Sequence, residues 1–408
     1  MKRANLVVGL LAGFLALAAE QGIFADDWPQ WRGPNRDGRV SGFNVPETWP
    51  AQLAQKWQVT VGVGDSTPAL VGEKLYTFGR QDANEVVLCL DAASGKTLWK
   101  NEYPADHVVT GPPARHPGTR SSPTVADGKV CTLGVGGILS CLDAADGKVL
   151  WRKQSTNDFQ GIAYKFDSSM SPLVVDGSCI VHVGGKDQGA VIAFGLATGE
   201  PKWKWAGDAP AKSSPIVMTV QGTKQLVTLT AKSVVGLDCS NGKLLWQIPF
   251  EATQGNNTTP VIDGQNVIYT GQGKGMFAVK IEAPDGGFAA TPLWTNVPAG
   301  ARFTTPVFKN GLLFGYNGNF FCANAQTGAT LWTDETNRGN SAALLDAGSV
   351  IVALTVNSEL VAFKPSAKEY AELARIKVAS SETWAHPILA GNRIFIRDRE
   401  TVALWKLE

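Results

Sequence analysis

The sequence has little with which to run an acid–base or metal reaction. Its 408 residues hold four histidines, His107, His116, His182 and His386. There is no His-Glu-x-x-His, no Cys-x-x-Cys and no Gly-x-Ser-x-Gly, which removes the best-marked metallohydrolase, dithiol and nucleophile-elbow chemistries. His107 and His116 share a loop, but two histidines alone make no metal set. Lys and Arg are scattered and the net charge is +1, so there is no electrostatic footprint for nucleic acid or an anionic membrane. Beyond residue 19 no apolar run is long enough to cross a bilayer. Gly271-Gln272-Gly273-Lys274-Gly275 has the composition of a phosphate loop, but no helix follows to point its amides at an anion. Asp143 to Gly147 lacks the alternating acids of a calcium loop and reads as a turn.

What is present begins with an export signal. Lys2 and Arg3 precede an apolar stretch from Leu6 to Ala19, and Ile23-Phe24-Ala25 offers a cleavage site. No cysteine follows the stretch to accept a lipid. Residues 1–25 therefore read as a signal peptide, 26–53 as an N-terminal extension and 54–408 as the folded domain, placing the mature chain in the periplasm or outside the cell. Six cysteines in an exported chain invite disulfides. Here Cys89, Cys141 and Cys322 fill a slot that holds Ala193, Gly236, Ala278, Ala362 and Ala403 elsewhere, so small size explains them and buried free thiols are expected. Cys131 and Cys141 flank a hairpin and are the one pair placed to bridge.

That slot belongs to a repeat. CLDAASGKTLW ends at Trp99, CLDAADGKVLW at Trp151, FGLATGEPKW at Trp203, GLDCSNGKLLW at Trp246 and CANAQTGATLW at Trp332, with looser copies ending at Trp57 and Trp294. In the five tight copies a Gly stands four residues before the Trp: Gly95, Gly147, Gly199, Gly242 and Gly328. A second marker, Ser/Thr-Pro, opens each unit at Pro68, Pro123, Pro172, Pro215, Pro260 and Pro306, with His386-Pro387 last and Ser341-Ala342-Ala343 in the remaining place. The intervals between Pro68 and Pro387 average about 46 residues, the length of a four-stranded propeller blade. Eight starts predict an all-β, eight-bladed propeller of antiparallel blades. The last unit ends after its third strand, Val402 to Leu407, while Gln55 to Val61 has strand character and carries Trp57, so the N-terminal strand is expected to complete the last blade and close the ring. The seventh unit has Leu373 near the Trp place. Each Trp is expected to pack between blades, burying roughly 200 Å², worth at most about 5 kcal/mol.

Function is then sought where the repeat varies. The residues just before the Pro markers should ring the channel mouth: Asp65, Arg120, Ser169, Lys212, Asn257, Phe303, Asn340 and Trp384, with His386 beside the last. Asp65, Arg120, Lys212, Asn257, Asn340, Trp384 and His386 form the candidate ligand site, a polar mouth suited to a carboxylate, a phosphate, a sugar or a peptide end. The long connections 101–120 and 153–169 lie on the same face. No catalytic residue and no metal ligand is assigned.

The Trp-terminated pattern, best at Cys89–Trp99 and Cys141–Trp151, resembles the tryptophan-docking motif of the pyrroloquinoline quinone (PQQ) dehydrogenases and the PQQ-like propeller repeat. The segments Asp27-Trp28-Pro29-Gln30-Trp31-Arg32-Gly33-Pro34 and Trp384-Ala385-His386-Pro387 are similar to terminal signatures of a secreted, BamB-like subfamily. The resemblance implies a docking role for Trp57, Trp99, Trp151, Trp203, Trp246, Trp294 and Trp332. A well-kept scaffold beside the missing acid–base and metal sets leads to the expectation of a non-catalytic, monomeric envelope protein that binds a protein or small ligand at the channel-mouth face; the alternatives, from the resemblance, are an outer-membrane assembly factor or a dehydrogenase using PQQ with calcium. The adjacent-cysteine ring of those dehydrogenases is missing, and their calcium ligands and Asp base find no matching positions, so no cofactor is predicted.

Overall fold

The computed structural model describes residues 27–105, 112–154, 158–159, 169–185 and 188–407. The expected export signal and His107 lie outside the described residues. Among the described residues are eight four-stranded antiparallel sheets and, as helix, only short 3-10 turns. Seven blades are continuous in sequence: blade 1 (69–104), blade 2 (124–153), blade 3 (173–207), blade 4 (216–249), blade 5 (261–296), blade 6 (307–333) and blade 7 (342–377). Blade 8 combines Ile388–Ala390, Arg393–Arg397 and Thr401–Lys406 with the N-terminal strand Ala54–Thr60. That pairing runs from Ala54 opposite Lys406 to Thr60 opposite Thr401, and it closes the ring as the sequence implies.

Each blade starts with a short inner strand followed by a turn, of two residues in seven blades and of four, 347–350, in blade 7. Asp127-Gly128, Asp176-Gly177, Gln221-Gly222 and Asn310-Gly311 all have positive φ at both positions, the geometry whose twist matches antiparallel partners. The second and third strands are almost wholly buried, whereas the outer strand alternates. On the third strand the small slot faces the outer-strand Trp: Cys89 lies opposite Trp99, Cys141 opposite Trp151, Ala193 opposite Trp203, Gly236 opposite Trp246, Ala278 opposite Trp294 and Cys322 opposite Trp332. The register shifts immediately after each of these pairs, so the bulge is part of the repeat. In blade 8 the residue opposite Trp57 is Leu404, and Ala403, expected in the slot, faces Gln58. In blade 7 the Trp place holds Ala374, opposite Ala362; Leu373 is its exposed neighbour. All six cysteines are buried free thiols, including the cross-strand pair Cys131 and Cys141.

The Gly and the Trp of one motif serve different joints. Trp99 Nε1 donates to Ala144 O of blade 2 at 3.2 Å, Trp151 to Leu196 O at 2.9 Å, Trp203 to Cys239 O at 3.0 Å, Trp294 to Ala325 O at 2.9 Å and Trp332 to Ser366 O at 2.8 Å. Trp57 of blade 8 reaches Ala92 O of blade 1 at 3.2 Å. Trp57, Trp99, Trp151, Trp203 and Trp294 each lie on a glycine of the following blade, so a Cβ on Gly95, Gly147, Gly199, Gly242 or Gly328 falls 2.4–2.8 Å from the ring of the preceding Trp. Blade 5 has no such glycine bend, and Trp246 turns to Gln225 Oε1 in its own blade, 2.7 Å away.

The Ser/Thr before each Pro forms a second set of joints around the axis. The Thr67 N–H donates to Ser122 Oγ at 2.9 Å, Ser122 N–H to Ser171 Oγ at 3.0 Å, and Ser171 N–H to Ser214 Oγ at 3.0 Å. Ser214 N–H continues to Thr259 Oγ1 at 3.2 Å and Thr259 N–H to Thr305 Oγ1 at 3.0 Å, while His386 N–H joins Thr67 Oγ1 at 2.9 Å. The chain of bonds breaks at blade 7, where Ala342 has no hydroxyl. There Thr304 Oγ1 donates to Ala342 O at 2.9 Å.

The N-terminal extension crosses the face opposite the mouth. Trp28 pairs with Leu70, Arg39 with Asp346 and Phe43 with Gly391, all toward the far ends of inner strands. From there two buried arginines enter the axis. Arg32 donates to Thr305 O and Pro306 O, both at 3.0 Å. Arg36 donates to Ser171 O and Pro215 O, both at 3.1 Å, and also bonds Pro172 O. Carbonyls of blades 3, 4 and 6 thus find their donors in one segment, which satisfies polar groups that the ring geometry buries.

Two stability predictions follow from these joints. Gly128 and Gly147 both have positive φ, but a Cβ meets nothing within 4 Å at Gly128 and Trp99 at 2.5 Å at Gly147. Gly128→Ala should cost about 1–2 kcal/mol, and Gly147→Ala about 1–3 kcal/mol more, by chemical denaturation; equal costs would deny the indole contact. Arg36→Met should lose at least about 2 kcal/mol, since it strands buried carbonyls, whereas Asn35→Ala should be near neutral.

Candidate functional site

The face opposite the N-terminal extension, a strap across the axis, is built by the segments leading into each inner strand. These connections are not sheet, so their side chains escape the packing that fixes the slot and the Trp. Asp65 leads into blade 1, and its N–H donates to Thr119 O at 2.7 Å, which brings it beside the lead-in to blade 2. His116 Nδ1 lies 2.8 Å from Asp65 Oδ2. Arg120 Nη2 donates to His116 O at 2.8 Å. Across the mouth the His116 ring meets Trp384 edge-on, with centroids 5.0 Å apart, and Trp384 meets Phe303 in the same manner at 5.5 Å. Three rings from the lead-ins to blades 2, 8 and 6 therefore form one aromatic wall.

The charges beside this wall are mostly positive. Arg302 stacks over Phe303, 4.6 Å from the centroid, and its Nη2 donates to Gln254 Oε1 at 3.3 Å. The Lys212 N–H donates to Asn256 O at 3.1 Å, fixing the backbone of that lead-in. Partial burial, and then the charges of Arg120 and Arg302, hold the Lys212 ammonium below its ordinary range. Asn257 Nδ2 bonds Gln254 O at 3.1 Å, and Asn340 is exposed at the lead-in to blade 7.

His386 stands apart from the other candidates. It is 8% exposed, lies below the mouth and contacts Trp31 of the strap edge-on at 5.5 Å. Burial, with a smaller contribution from Arg32, pushes its pKa down to about 3, so it is neutral at ordinary pH. It belongs to the axial core where the hydroxyl chain is interrupted. Arg302 is the residue that the sequence reading passed over. It precedes Phe303, and nothing in the linear pattern distinguished the fourth residue before a Pro marker from the third. The buried pair Arg32 and Arg36 was equally hidden, because an Arg in a Gly/Pro-rich segment ordinarily reads as a solvated loop. A separate groove of 460 Å³, lined by Val378, Ile396, Ala403 and Trp405 among others, follows the seam of blades 7 and 8.

The donor set decides which groups the mouth suits. A PQQ–calcium pair needs oxygen ligands for the metal. Among the described residues the nearby carboxylates are already engaged, Asp65 with His116 and Glu382 Oε2 with Trp384 Nε1 at 3.0 Å. Among the described residues no three His, Cys, Asp or Glu side chains gather as a metal cage. This set does not fit a calcium–quinone centre.

The fold and this mouth define an eight-bladed propeller of the PQQ-repeat class. The family profile PQQ_2, described as outer membrane protein assembly factor BamB, matches residues 83–334, and the chain belongs to that family. The chain is 26% identical over 356 residues to the outer membrane protein assembly factor BamB of Burkholderia pseudomallei (strain K96243), covering 84% of this chain and 85% of that one. It is 25% identical over 271 residues to a quinohemoprotein alcohol dehydrogenase of Comamonas testosteroni, covering 64% of this chain but 35% of that enzyme. Thus the chain spans about a third of the dehydrogenase's length. The solved structure of BamB from Moraxella catarrhalis matches with a TM-score of 0.62 at 15% identity, covering 88% of this chain and 98% of that one, a likeness of fold. Among the described residues no helix is long and apolar enough to cross a membrane.

The buried histidines make stability pH-dependent. His386 titrates near 3 when folded and near its ordinary 6.5 when unfolded, so the unfolded chain binds the extra proton between those values. Its contribution is complete above pH 6.5 and declines as pH falls toward 3. His182, pushed down to about 4 by burial, acts in the same direction. His386→Gln should therefore flatten, without abolishing, the loss of unfolding free energy between pH 7 and 4.5. An unchanged slope would contradict a neutral buried imidazole.

Proposed function

We propose that this chain is an exported, non-catalytic propeller that binds a protein partner in the cell envelope, as a monomer in the periplasm or outside the cell. The observation that carries this reading is an uncharged arc on the outer rim. The outer strands of blades 4, 5 and 6, Leu244–Pro249, Ala289–Asn296 and Thr330–Thr333, contain no charged residue. Every other outer strand does: Lys100 and Glu102 in blade 1, Arg152 and Lys153 in blade 2, Lys202 and Lys204 in blade 3, Glu372, Arg375 and Lys377 in blade 7, and Lys56 in blade 8.

An outer strand has one unpaired edge, and charged side chains are the usual guard against another strand adding there. Three neighbouring edges lack that guard. They also present Leu244, Leu293 and Leu331, which are 36%, 45% and 40% exposed, beside Val297 at 66%. Such an arc suits strand addition by a partner, in which backbone bonds supply affinity and apolar side chains the selectivity. The relatives named as outer membrane protein assembly factors support placing that partner in the envelope. The assembly-factor reading adds that outer-membrane proteins should appear among the captured partners. The quinoprotein alternative gains no support from the donor set of the mouth.

The test is affinity capture of crosslinked partners from envelope extract. Leu293→Lys with Leu331→Lys should leave stability within about 0.5 kcal/mol per site and reduce capture by about tenfold or more. Unchanged capture would remove the rim as the contact. PQQ-dependent oxidation of an alcohol by the purified chain would overturn the non-catalytic reading altogether.

A further inference from the structure

Blade 7 is the one blade whose outer strand carries no Trp, and Ala374 stands in that place. In other seams the residue just after the third-strand slot packs against the Trp of the preceding blade. Phe194 lies 6.3 Å from Trp151 between ring centroids and Phe363 lies 6.4 Å from Trp332. Leu142 and Leu237 share cores with Trp99 and Trp203 in the same way. In blade 8 Leu404 faces Trp57, so the next residue, Trp405, is the one turned toward blade 7, and it packs on the same core as Ala374. Four residues beyond Ala374, Val378 stands where blade 1 has Tyr103, the second large ring of its seam. Blade 7 therefore offers two small side chains where blade 1 offers two aromatic ones. The closed ring fixes the spacing of the blades, so this seam does not contract to native packing density, and the room left over is the 460 Å³ groove.

We propose that this groove receives an aromatic side chain, Trp or Phe, from a partner polypeptide, seated beside Trp405 in the place the blade 7 Trp has vacated. The proposal rests on the reading that the chain binds proteins, and it assigns a contact separate from the uncharged rim of blades 4 to 6. The chemistry of the occupant comes from the other seams, where a ring fills the same position. Val378, Ile396 and Ala403 give the groove apolar walls, and Trp405 gives it a ring for an offset or edge-on partner. Trp405 Nε1 is buried with no acceptor among the described residues, so no hydrogen bond there fixes the tilt of the indole. The charged groups of the lining are turned to their own backbone. Lys377 Nζ donates to Asn357 O at 2.6 Å, and Asp398 Oδ1 accepts from the N–H groups of Glu400 and Thr401 at 3.1 and 2.7 Å. An apolar ring thus suits the groove better than an ion does. At its border Gln55 Nε2 donates to Gln58 Oε1 at 3.2 Å and Gln58 Nε2 to Thr401 Oγ1 at 2.8 Å. These exposed amides suit the peptide groups on either side of the inserted residue.

The experiment is fluorine NMR of the full chain labelled with fluorotryptophan, its Trp405 resonance assigned by Trp405→Phe. The titrant is the end-capped peptide Ser-Gly-Trp-Gly-Ser. The Trp405 resonance is expected to shift, with an affinity about tenfold or more above that of the same peptide carrying Ala at its centre. Ala374→Trp supplies the indole from the chain itself, and should abolish the shift while keeping the denaturation midpoint. Ser380→Phe, at an exposed lining position, should weaken binding several-fold and serves as the test where the first variant does not fold. Leu293→Lys, on the rim, leaves peptide binding unchanged. No shift, an equal affinity for the Ala peptide, or binding indifferent to both groove variants would sink the proposal. A larger shift with maltohexaose would replace it with a saccharide site, and a Trp405 shift that follows the concentration of the chain alone would replace it with a second copy. Envelope capture keeps the two readings apart: partners captured by a chain that does not bind the peptide remove the groove contact alone, whereas no captured partner at all removes the protein-binding reading beneath it.

Discussion

The pairing of Ala54–Thr60 with Thr401–Lys406 is the contact on which the rest of the molecule depends. Without it blade 8 has three strands and a bare edge. With it, Trp57 reaches Ala92 of blade 1 and every seam has neighbours on both sides. The closing strand also orients residues 27–50 across one face, which puts Arg32 and Arg36 where inner-strand carbonyls lack donors. Closing the ring and stopping its axis are therefore one event, performed by one continuous segment.

Two kinds of joint divide the labour between rim and axis. Outside, indoles lie on glycines of the following blade and donate to its carbonyls. Inside, hydroxyls accept from the backbone of the preceding blade. Both use backbone groups, so both tolerate wide change in the side chains between them. That tolerance leaves two surfaces free to specialise. The lead-ins to the inner strands collect rings and cations, and the outer strands of blades 4 to 6 shed their charges. The strap closes the opposite end of the axis, and the mouth becomes a shallow recess on one side.

Much of the fold was legible because a repeat states its constraint many times. The slot opposite the Trp, the positive-φ turn and the Pro at the strand start recur, and each has one physical explanation. The errors fell where a unit is single. Blade 8 is assembled from both ends, and its bulge places Leu404, not Ala403, opposite Trp57. Blade 7 lost its Trp, and the residue in that place is Ala374 with Leu373 turned outward. The candidate site was legible as a set of positions more than as a set of contacts. Counting back from the Pro markers identified Asp65, Arg120, Lys212 and Trp384. It also gathered in His386, because a sequence does not show that the side chain after a lead-in turns inward.

What the sequence determined by itself is the number of blades, the order of strands and the closure from the N-terminus. These depend on local turn geometry and on a period, which linear spacing records. Only the tertiary structure decided that the Gly and Trp of one motif belong to different seams, and that the hydroxyl before each Pro serves the neighbouring blade. It alone placed two arginines of a Gly/Pro-rich segment in the axis and set Arg302 beside Lys212 and Arg120. The reason is the same in each case. The Trp and hydroxyl bonds between consecutive blades join residues 31 to 55 positions apart, the closing bond spans 319, and the buried arginines reach 135 to 274, so which side chains meet is set by the curvature of the closed ring.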